Sequence, residues 1–290
     1  MADSKHVDEV SGVETTGHVW DGIRELNNPL PRWWLWSFYA TIVFAIVYTI
    51  LYPAWPLVSG ATPGVLGWHS RATFDDTMKA VEAAQAGYLK QIAATPVDDI
   101  ARNPDLEKFA SAAGAASFKV NCSPCHGSGA TGGVGYPNLN DDDWLWGGKI
   151  TDIYTTILHG IRYEADPDTR MSQMPAFGHD GILTPAQISD VAWYVATLSG
   201  GQADPTAAAR GKEVFAANCA ACHGDQGQGG QEFGAPRLSD PIWLYKSGYD
   251  AIVAQVSNPQ HGVMPAWSAR LGDTTVKELA VFVHGLGGGK

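Results

Sequence analysis

Two short motifs combine the residue types that attach a haem group to a polypeptide. Each motif has two cysteines separated by two residues and followed at once by a histidine. Such thiols can add across the two vinyl groups of haem to form thioether bonds, and the adjacent histidine can bind the iron. The spacing therefore predicts two covalently bound haem c groups. The predicted residues are Cys122, Cys125 and the iron ligand His126 in the first motif, and Cys219, Cys222 and the iron ligand His223 in the second.

Other uses of paired cysteines explain these motifs less well. A structural zinc site needs four cysteine or histidine ligands, and a long stretch of repeated sequence separates the two pairs. A thioredoxin-like thiol pair would account for one motif, but not for two motifs that each have a histidine directly behind them. Haem attachment uses all four cysteines of the chain, so no disulfide is expected.

Each motif is followed by a methionine that can supply the second axial ligand of an iron. Met174 and Met264 are each followed by proline, alanine and an aromatic residue. A thioether ligand favours ferrous iron and raises the reduction potential. Met171 lies near Met174 but lacks this following sequence. His159 and His261 are alternative ligands, but neither has a counterpart in the other half, and we expect ordinary loop or surface histidines.

Residues around the motifs are candidates for supporting roles. The carbonyl groups of Pro137 and Pro236 could accept the remaining ring N–H of the two histidines, which would fix the tautomer. Six glycines at matching positions would let the backbone pass close to the macrocycle. The acidic run 141–143 is interpreted as a solvated face or, alternatively, as part of a docking surface for a basic cytochrome. The glycines are Gly127, Gly132, Gly133, Gly224, Gly229 and Gly230.

The two motifs lie in two copies of one sequence module. Glycine, phenylalanine, proline and tryptophan recur at aligned positions, and the first copy has a longer loop around residues 163–169. Each copy is predicted to end in a helix that starts with a capping box, Thr184 to Gln187 in the first and Thr275 to Glu278 in the second. This organisation predicts two tandem class I-like cytochrome c domains, residues 114–200 and 206–290, joined by a hinge.

A single apolar segment precedes the modules. Residues 33–52 form a run of 20 residues without a charged side chain, which as a helix can span the ~30 Å core of a bilayer. Tryptophan and tyrosine at both ends are typical of a membrane interface. A cleaved signal peptide fits less well, because the run starts late and no good cleavage site follows it. We expect residues 1–32 to be irregular and cytoplasmic, and residues 53–113 to be a periplasmic helical spacer with Asn103 as a helix N-cap.

The composition fits a mostly α-helical protein with one membrane helix. Hydrophobic residues make up 45% of the chain and charged residues 17%, which is enough apolar surface to bury proper cores. A formal net charge of -11 disfavours nucleic acid as a partner and favours a basic protein. Haem c is attached outside the bacterial cytoplasmic membrane. The haem domains are therefore expected in the periplasm, anchored to the inner membrane by a single pass with the N-terminus in the cytoplasm.

Residues 21–34, with the sequence DGIRELNNPLPRWW, come directly before and enter the apolar helix. Together with the single helix, the spacer and the tandem modules, they make the chain resemble the dihaem P subunit, or FixP family, of cbb3-type cytochrome c oxidase. The resemblance implies that His126 pairs with Met174 and His223 with Met264. It also implies that electrons arrive from a donor cytochrome c or the bc1 complex. They would leave through a monohaem subunit to a catalytic subunit that reduces oxygen to water and pumps protons.

Two other functions fit the haem modules at this stage. A free-standing membrane-anchored carrier that serves a dehydrogenase or a reductase would have the same modules. A dihaem peroxidase would need one iron whose sixth ligand leaves, which the paired methionines argue against. Two irons with both axial positions filled favour electron transfer over catalysis, so the chain is not expected to be an enzyme on its own.

Overall fold

The computed structural model describes residues 6–287, and the prediction of a mostly helical chain is confirmed. This part of the chain has two short antiparallel strand pairs, β1 with β2 and β3 with β4. The strands are β1 Thr15–Trp20, β2 Ile23–Leu26, β3 Pro56–Leu57 and β4 Gly60–Ala61. The helices are α1 Arg32–Leu51, α2 Ser70–Ala94, α3 Val97–Arg102, α4 Pro104–Asn121, α5 Ser123–His126, α6 Ile150–His159, α7 Pro185–Leu198, α8 Pro205–Asn218, α9 Ala220–His223, α10 Tyr249–Ser257 and α11 Ser268–His284. Two compact units, Met1–Ala84 and Gln85–Lys290, divide the chain.

An N-terminal hairpin corrects the prediction that residues 1–32 are irregular. β1 and β2 pair antiparallel, with Trp20 opposite Ile23. Asp21 and Gly22 form the turn between them, with φ angles of 49° and 84°. A two-residue turn with positive φ at both positions matches the natural twist of the strands. The Asp-Gly pair was the signal for this hairpin in an otherwise polar segment, of which residues 1–5 lie outside the described residues.

The helix α1 has the length and composition of a membrane-spanning helix. The most apolar 18-residue window of this helix has a mean hydropathy of 1.8, none of its residues is buried, and it is the only such helix between residues 6 and 287. It begins and ends one residue before the predicted run 33–52. The carbonyls of Ile50 and Leu51 accept the N–H groups of Val65 and Leu66 at 2.9 and 3.1 Å. The C-terminal end of the helix is therefore satisfied by the chain that follows it.

The predicted spacer, residues 53–113, is a spacer only in part. Most of α2 is exposed, but Ile92 near its end is completely buried, and so is Ile100 in α3. The side chain of Asn103 caps α4, as predicted, by accepting the N–H groups of Asp105 and Leu106 at 3.1 and 3.3 Å. The chain from Ile92 onward therefore belongs to a hydrophobic core rather than to a connector.

Two hydrophobic cores organise the unit Gln85–Lys290. The first core includes Phe118 of α4, Ile153 of α6 and Leu279 of α11. The second core includes Val191 of α7 and Phe215 of α8, and α10 also packs on α7. The packing therefore does not follow the predicted domains 114–200 and 206–290. The last helix of each sequence copy belongs to the core of the other copy.

The short connection between α7 and α8 explains this exchange of helices. Only residues 199–204 join the two helices, and so short a loop makes consecutive helices antiparallel neighbours. α7 therefore packs against the helix that immediately follows it. The place beside α4 that α7 would take in a separate first domain is filled by α11.

Glycines at matching positions let each helix pair cross closely. A Cβ at Gly114 in α4 would overlap the backbone of Glu278 in α11, and one at Gly211 in α8 would overlap the backbone of Asp190 in α7. The two copies thus use the same kind of crossing, each with the helix that the other copy supplies.

Replacing Gly211 with alanine is expected to destabilise the second core by about 1–3 kcal/mol, the typical cost of extra volume in a packed interior. The control is Gly87→Ala in α2, where nothing lies within 4 Å of the added Cβ. That variant should be neutral or more stable, because glycine within a helix costs about 0.5–1 kcal/mol relative to alanine. Denaturant unfolding of the two variants would measure this difference. Equal stability of the two would contradict the close crossing.

The two predicted capping boxes have different outcomes. The side chain of Gln187 accepts the N–H of Thr184 at 2.9 Å, and Thr184 Oγ1 accepts the N–H of Gln187 at 3.3 Å, as predicted. The second prediction is wrong, because Thr275 lies inside α11, beyond a break at Gly272. Glu278 is buried, and its Oε1 has no hydrogen-bond partner among the described residues. Burial raises the pKa of Glu278 to about 7.

Candidate functional site

Each Cys-x-x-Cys-His motif forms one helical turn directly after a longer helix. α4 ends at Asn121, and the N–H of His126 donates to the carbonyl of Cys122 at 2.9 Å. In the second copy the N–H of His223 donates to the carbonyl of Cys219 at 3.0 Å. Each turn therefore places two thiols and an imidazole side by side, as covalent attachment of a haem requires.

The first thiol of each motif is at least partly shielded from solvent. Cys122 is half-buried and Cys219 is buried, and burial raises the pKa of both thiols to about 11. Redox-active cysteines instead have a lowered pKa that favours the thiolate. The second cysteine of each pair is exposed. Burial thus disfavours the thiolate form of Cys122 and Cys219.

Both histidines are oriented by a proline carbonyl. The Nδ1–H of His126 donates to the carbonyl of Pro137 at 3.1 Å, and that of His223 donates to the carbonyl of Pro236 at 2.9 Å. Since a carbonyl only accepts, Nδ1 carries the proton and Nε2 is left to bind iron. Burial lowers the pKa of both histidines, so the neutral ring that a metal needs is favoured. The role predicted for Pro137 and Pro236 requires this geometry, in which each carbonyl accepts the ring N–H of its histidine.

A partly open cavity lies in the first core, beside the first motif, and encloses about 730 Å³ of empty space when the solvent at its mouth is included. Its walls are almost entirely apolar, and α4, α6 and α11 all contribute to them. His126, Cys122 and Met264 all line the cavity. An apolar wall with one imidazole and one thioether suits haem. The residues present therefore fit the predicted cofactor.

The structure groups the two predicted methionine ligands differently from the pairing that the resemblance implies. Met264 packs against the first core together with Cys122, and Met174 packs against the second core, to which Cys219 belongs. The physical cause is the exchange of α7 and α11, because each methionine lies shortly before one of these helices and follows it into the other copy's core. His126 is thus brought together with Met264, not with Met174.

A short backbone pairing holds Met264 at the end of α6. The N–H of Ile161 donates to the carbonyl of Met264 at 2.9 Å, and the N–H of Met264 donates to the carbonyl of Ile161 at 3.0 Å. Gly160, with a φ of 69°, allows this approach, since a Cβ there would overlap the backbone of residues 264–266. Gly160 and Ile161, directly after α6, therefore fix the position of the second copy's methionine.

Two histidines that were expected to be ordinary have specific partners. The Nε2 of His261 accepts the N–H of Met174 at 3.0 Å. Burial, and then the positive charge of Arg162, lower the pKa of His261, which keeps this ring nitrogen free to accept. His159 Nδ1 lies 3.2 Å from a carboxylate oxygen of Asp166. Sequence reasoning could not identify His261, because its role depends on contact with a distant loop.

Glycines at matching positions of the two copies support the loops that carry Pro137 and Pro236. The N–H of Gly132 donates to the carbonyl of His126, and the N–H of Gly229 to that of His223, both at 2.8 Å. A Cβ at Gly132 would overlap the backbone of residues 136–138. These glycines therefore let the chain fold back so that Pro137 and Pro236 reach the histidines.

The acidic run 141–143 is not a uniform solvated face. Asp142 is exposed, but Asp143 is half-buried and lines the cavity of the first core. Burial, followed by repulsion from Asp240 and Asp141, raises the pKa of Asp143. Arg237 lies 3.7 Å from Asp240 and offsets part of this negative charge. The run therefore places one acidic group at the site itself.

Three family models match the chain. The model described as the N-terminal domain of cytochrome oxidase-cbb3, FixP, matches residues 12–59. The model described as cytochrome c matches residues 111–199, and the one described as cytochrome C oxidase, cbb3-type, subunit III matches residues 206–283. The three matches cover the N-terminal hairpin, the apolar helix and both sequence modules.

Several relatives are similar along their whole length. A cbb3-type cytochrome c oxidase subunit FixP of Sinorhizobium medicae is 60% identical over 291 residues, which cover all of both chains. A subunit CcoP of Cereibacter sphaeroides is 52% identical over 276 residues, 95% of each chain. A subunit FixP of a Bradyrhizobium species is 50% identical over 294 residues, again all of both chains. Identity of this extent is sufficient to establish common family membership.

Proposed function

Because the chain belongs to the FixP (CcoP) family of cbb3-type cytochrome c oxidase subunits, we propose that it takes electrons from a donor cytochrome c or the bc1 complex. It passes them to the monohaem and catalytic subunits of the oxidase, where oxygen is reduced to water. The chain itself is an electron-transfer subunit that carries two covalently bound haem c groups. The observation that carries the proposal is the pair of Cys-x-x-Cys-His turns with oriented histidines.

The residues that would hold each haem come from both sequence copies. Cys122, Cys125, His126 and Met264 would hold one haem. Cys219, Cys222, His223 and Met174 would hold the other. Support for this assignment comes from the cavity that His126 and Met264 line together and from the packing of Met174 against the second core. When bound, each haem supplies one-electron chemistry by cycling between ferric and ferrous iron.

The chain's own residues tune these sites and leave the catalytic chemistry to another subunit. Pro137 and Pro236 hold the two imidazoles with Nδ1 protonated, which makes Nε2 the better ligand. Two protein ligands on each iron leave no open position, which disfavours a peroxidase. Reduction of oxygen and proton pumping therefore belong to the catalytic subunit. The match of residues 12–59 to the FixP N-terminal model disfavours a free-standing carrier.

The position in the membrane follows from the same features. α1 anchors the chain by a single pass. We place α1 in the bacterial inner membrane and the residues before it in the cytoplasm. Both haem sites then lie in the periplasm, because haem c is attached on that side. The net charge of -11 favours docking of a basic donor.

The proposal is tested with oxidase purified through a tag on its catalytic subunit. The subunit is expected to co-purify. Oxygen uptake driven by a donor cytochrome c is expected to fall at least about tenfold when Cys122, Cys125, Cys219 and Cys222 are all replaced by serine. The control is oxygen uptake driven by a small artificial reductant that reaches the catalytic subunit directly, which should continue. Uptake from the donor cytochrome at an unchanged rate would contradict the proposed role.

A further inference from the structure

The two loops that carry the methionines are tied together by one arginine. The Nε–H of Arg162 donates to the carbonyl of Gly262 at 2.7 Å, and an Nη1–H donates to the carbonyl of Ser172 at 3.0 Å. Gly262 lies two residues before Met264, and Ser172 lies two residues before Met174. We call residues 171–176 the Met174 loop and residues 261–266 the Met264 loop. A single guanidinium thus contacts both loops.

A second hydrogen bond joins the same two loops directly. His261, in the Met264 loop, accepts the backbone N–H of Met174 through Nε2 at 3.0 Å. The Met264 loop is also paired with Ile161, the residue next to Arg162. The loops are therefore connected both through Arg162 and without it.

The backbone and the charge of Arg162 both indicate a specific role. Its φ of 53° lies in the left-handed region, which is rare for a residue other than glycine and persists only when the surroundings hold it. Its own N–H donates to the carbonyl of Arg170 at 2.9 Å, which closes the loop of the first copy. Among the described residues Arg162 makes no ion pair, so backbone carbonyls rather than a carboxylate receive its charged N–H groups.

From this geometry we propose that Arg162 is a positioning residue for both sixth ligands, and that with His261 it couples the Met174 and Met264 loops. The proposal rests on the proposed function, in which these methionines bind the two irons. The planar fork of arginine can donate to two carbonyls at once, which the ammonium group of lysine does less well. Release of one loop would loosen the other, so the strength of methionine ligation at the two sites is linked.

The test measures the binding of imidazole, which competes with methionine for ferric haem, to each haem of the full-length chain. We expect Arg162→Met to increase the apparent affinity for imidazole about tenfold at both haems, equivalent to about 1.4 kcal/mol. The absorption band that ferric haem shows only with a methionine ligand should weaken at both sites. Arg162→Lys should restore part of each effect. Single-haem backgrounds, made with serine in place of the other cysteine pair, assign the signals.

The matched control is Arg270→Gln. Arg270 is exposed and lies over the ring of Trp267, with its guanidinium carbon 5.4 Å from the ring centre, and it contacts neither carbonyl that Arg162 binds. This substitution should change neither the imidazole affinity nor the methionine-specific absorption band of either haem. His261→Ala should weaken ligation by Met174, and His261→Gln, whose amide oxygen can still accept the N–H, should retain it.

An effect of Arg162→Met at one haem only, or at neither, would overturn the proposed coupling. If Arg162→Met does not fold, Arg162→Lys decides, because unchanged affinity at both haems in that variant would equally overturn it. Failure of the proposed function is distinguishable, since the unsubstituted chain would then lack the methionine-specific absorption band altogether.

Discussion

Replacing Met264 with alanine is expected to remove the sixth ligand from the haem attached at Cys122 and Cys125, although Met264 lies in the other sequence copy. The reason is that Met264 lines the same cavity as His126. The potential of that haem should fall by a sizeable part of the roughly 0.8 V range over which axial ligands set haem potentials. A redox titration followed by absorption would measure this in a chain whose second cysteine pair is replaced by serine.

Two control variants sharpen this experiment. In the same background Met174→Ala should leave the potential nearly unchanged, because Met174 packs against the second core. Met171→Ala should also have little effect, since Met171 is 55% exposed. A large fall caused by Met174→Ala and none caused by Met264→Ala would restore the pairing of His126 with Met174 and refute the exchanged assignment.

The second large effect is expected from a cavity made in α11. Leu279 is 1% exposed and lines the cavity of the first core. Leu279→Ala should cost about 2–5 kcal/mol, as for other buried leucines. Because α11 packs on α4 and α6, amide hydrogen exchange should become at least about tenfold faster in those helices if they open through this core. Mass spectrometry of peptides from α4, α6, α8 and α10 would show where the loss of protection occurs.

The matched control lies in the second core. Val191 in α7 is completely buried, and Val191→Ala should instead speed exchange in α8 and α10. If Leu279→Ala loosened α8 and α10 while α4 kept its protection, each sequence copy would fold as a separate domain and the exchange of helices would be wrong.

Features fixed by local spacing could be predicted from the sequence. The apolar helix, the caps at Asn103 and Thr184 and the Cys-x-x-Cys-His turns depend on residues close together in the chain. The contacts of the two histidines with Pro137 and Pro236 were also predicted, because the repeat placed the prolines at matching positions. The ligand roles of these residues stay predictions until an iron is observed.

Features that depend on which distant segments meet could not be predicted. An internal repeat suggests two separate domains. The sequence pattern is the same, however, whether the last helix of each copy packs in the core of its own copy or in that of the other copy. The length of residues 199–204 decides between these arrangements, and only the packing shows its effect. The same holds for the contacts of Arg162 with Gly262 and of His261 with Met174, which join residues 100 and 87 positions apart. Residues 275–278 match the capping-box pattern of a helix N-terminus, yet they lie within α11.

A density map of the assembled oxidase, at a resolution that shows side chains, tests the central claim most directly. The measurement is which methionine sulfur lies against the iron of the haem that is bonded to Cys122 and Cys125. Our account predicts Met264 on that iron and Met174 on the other. Met174 on the iron bound by His126 would contradict it.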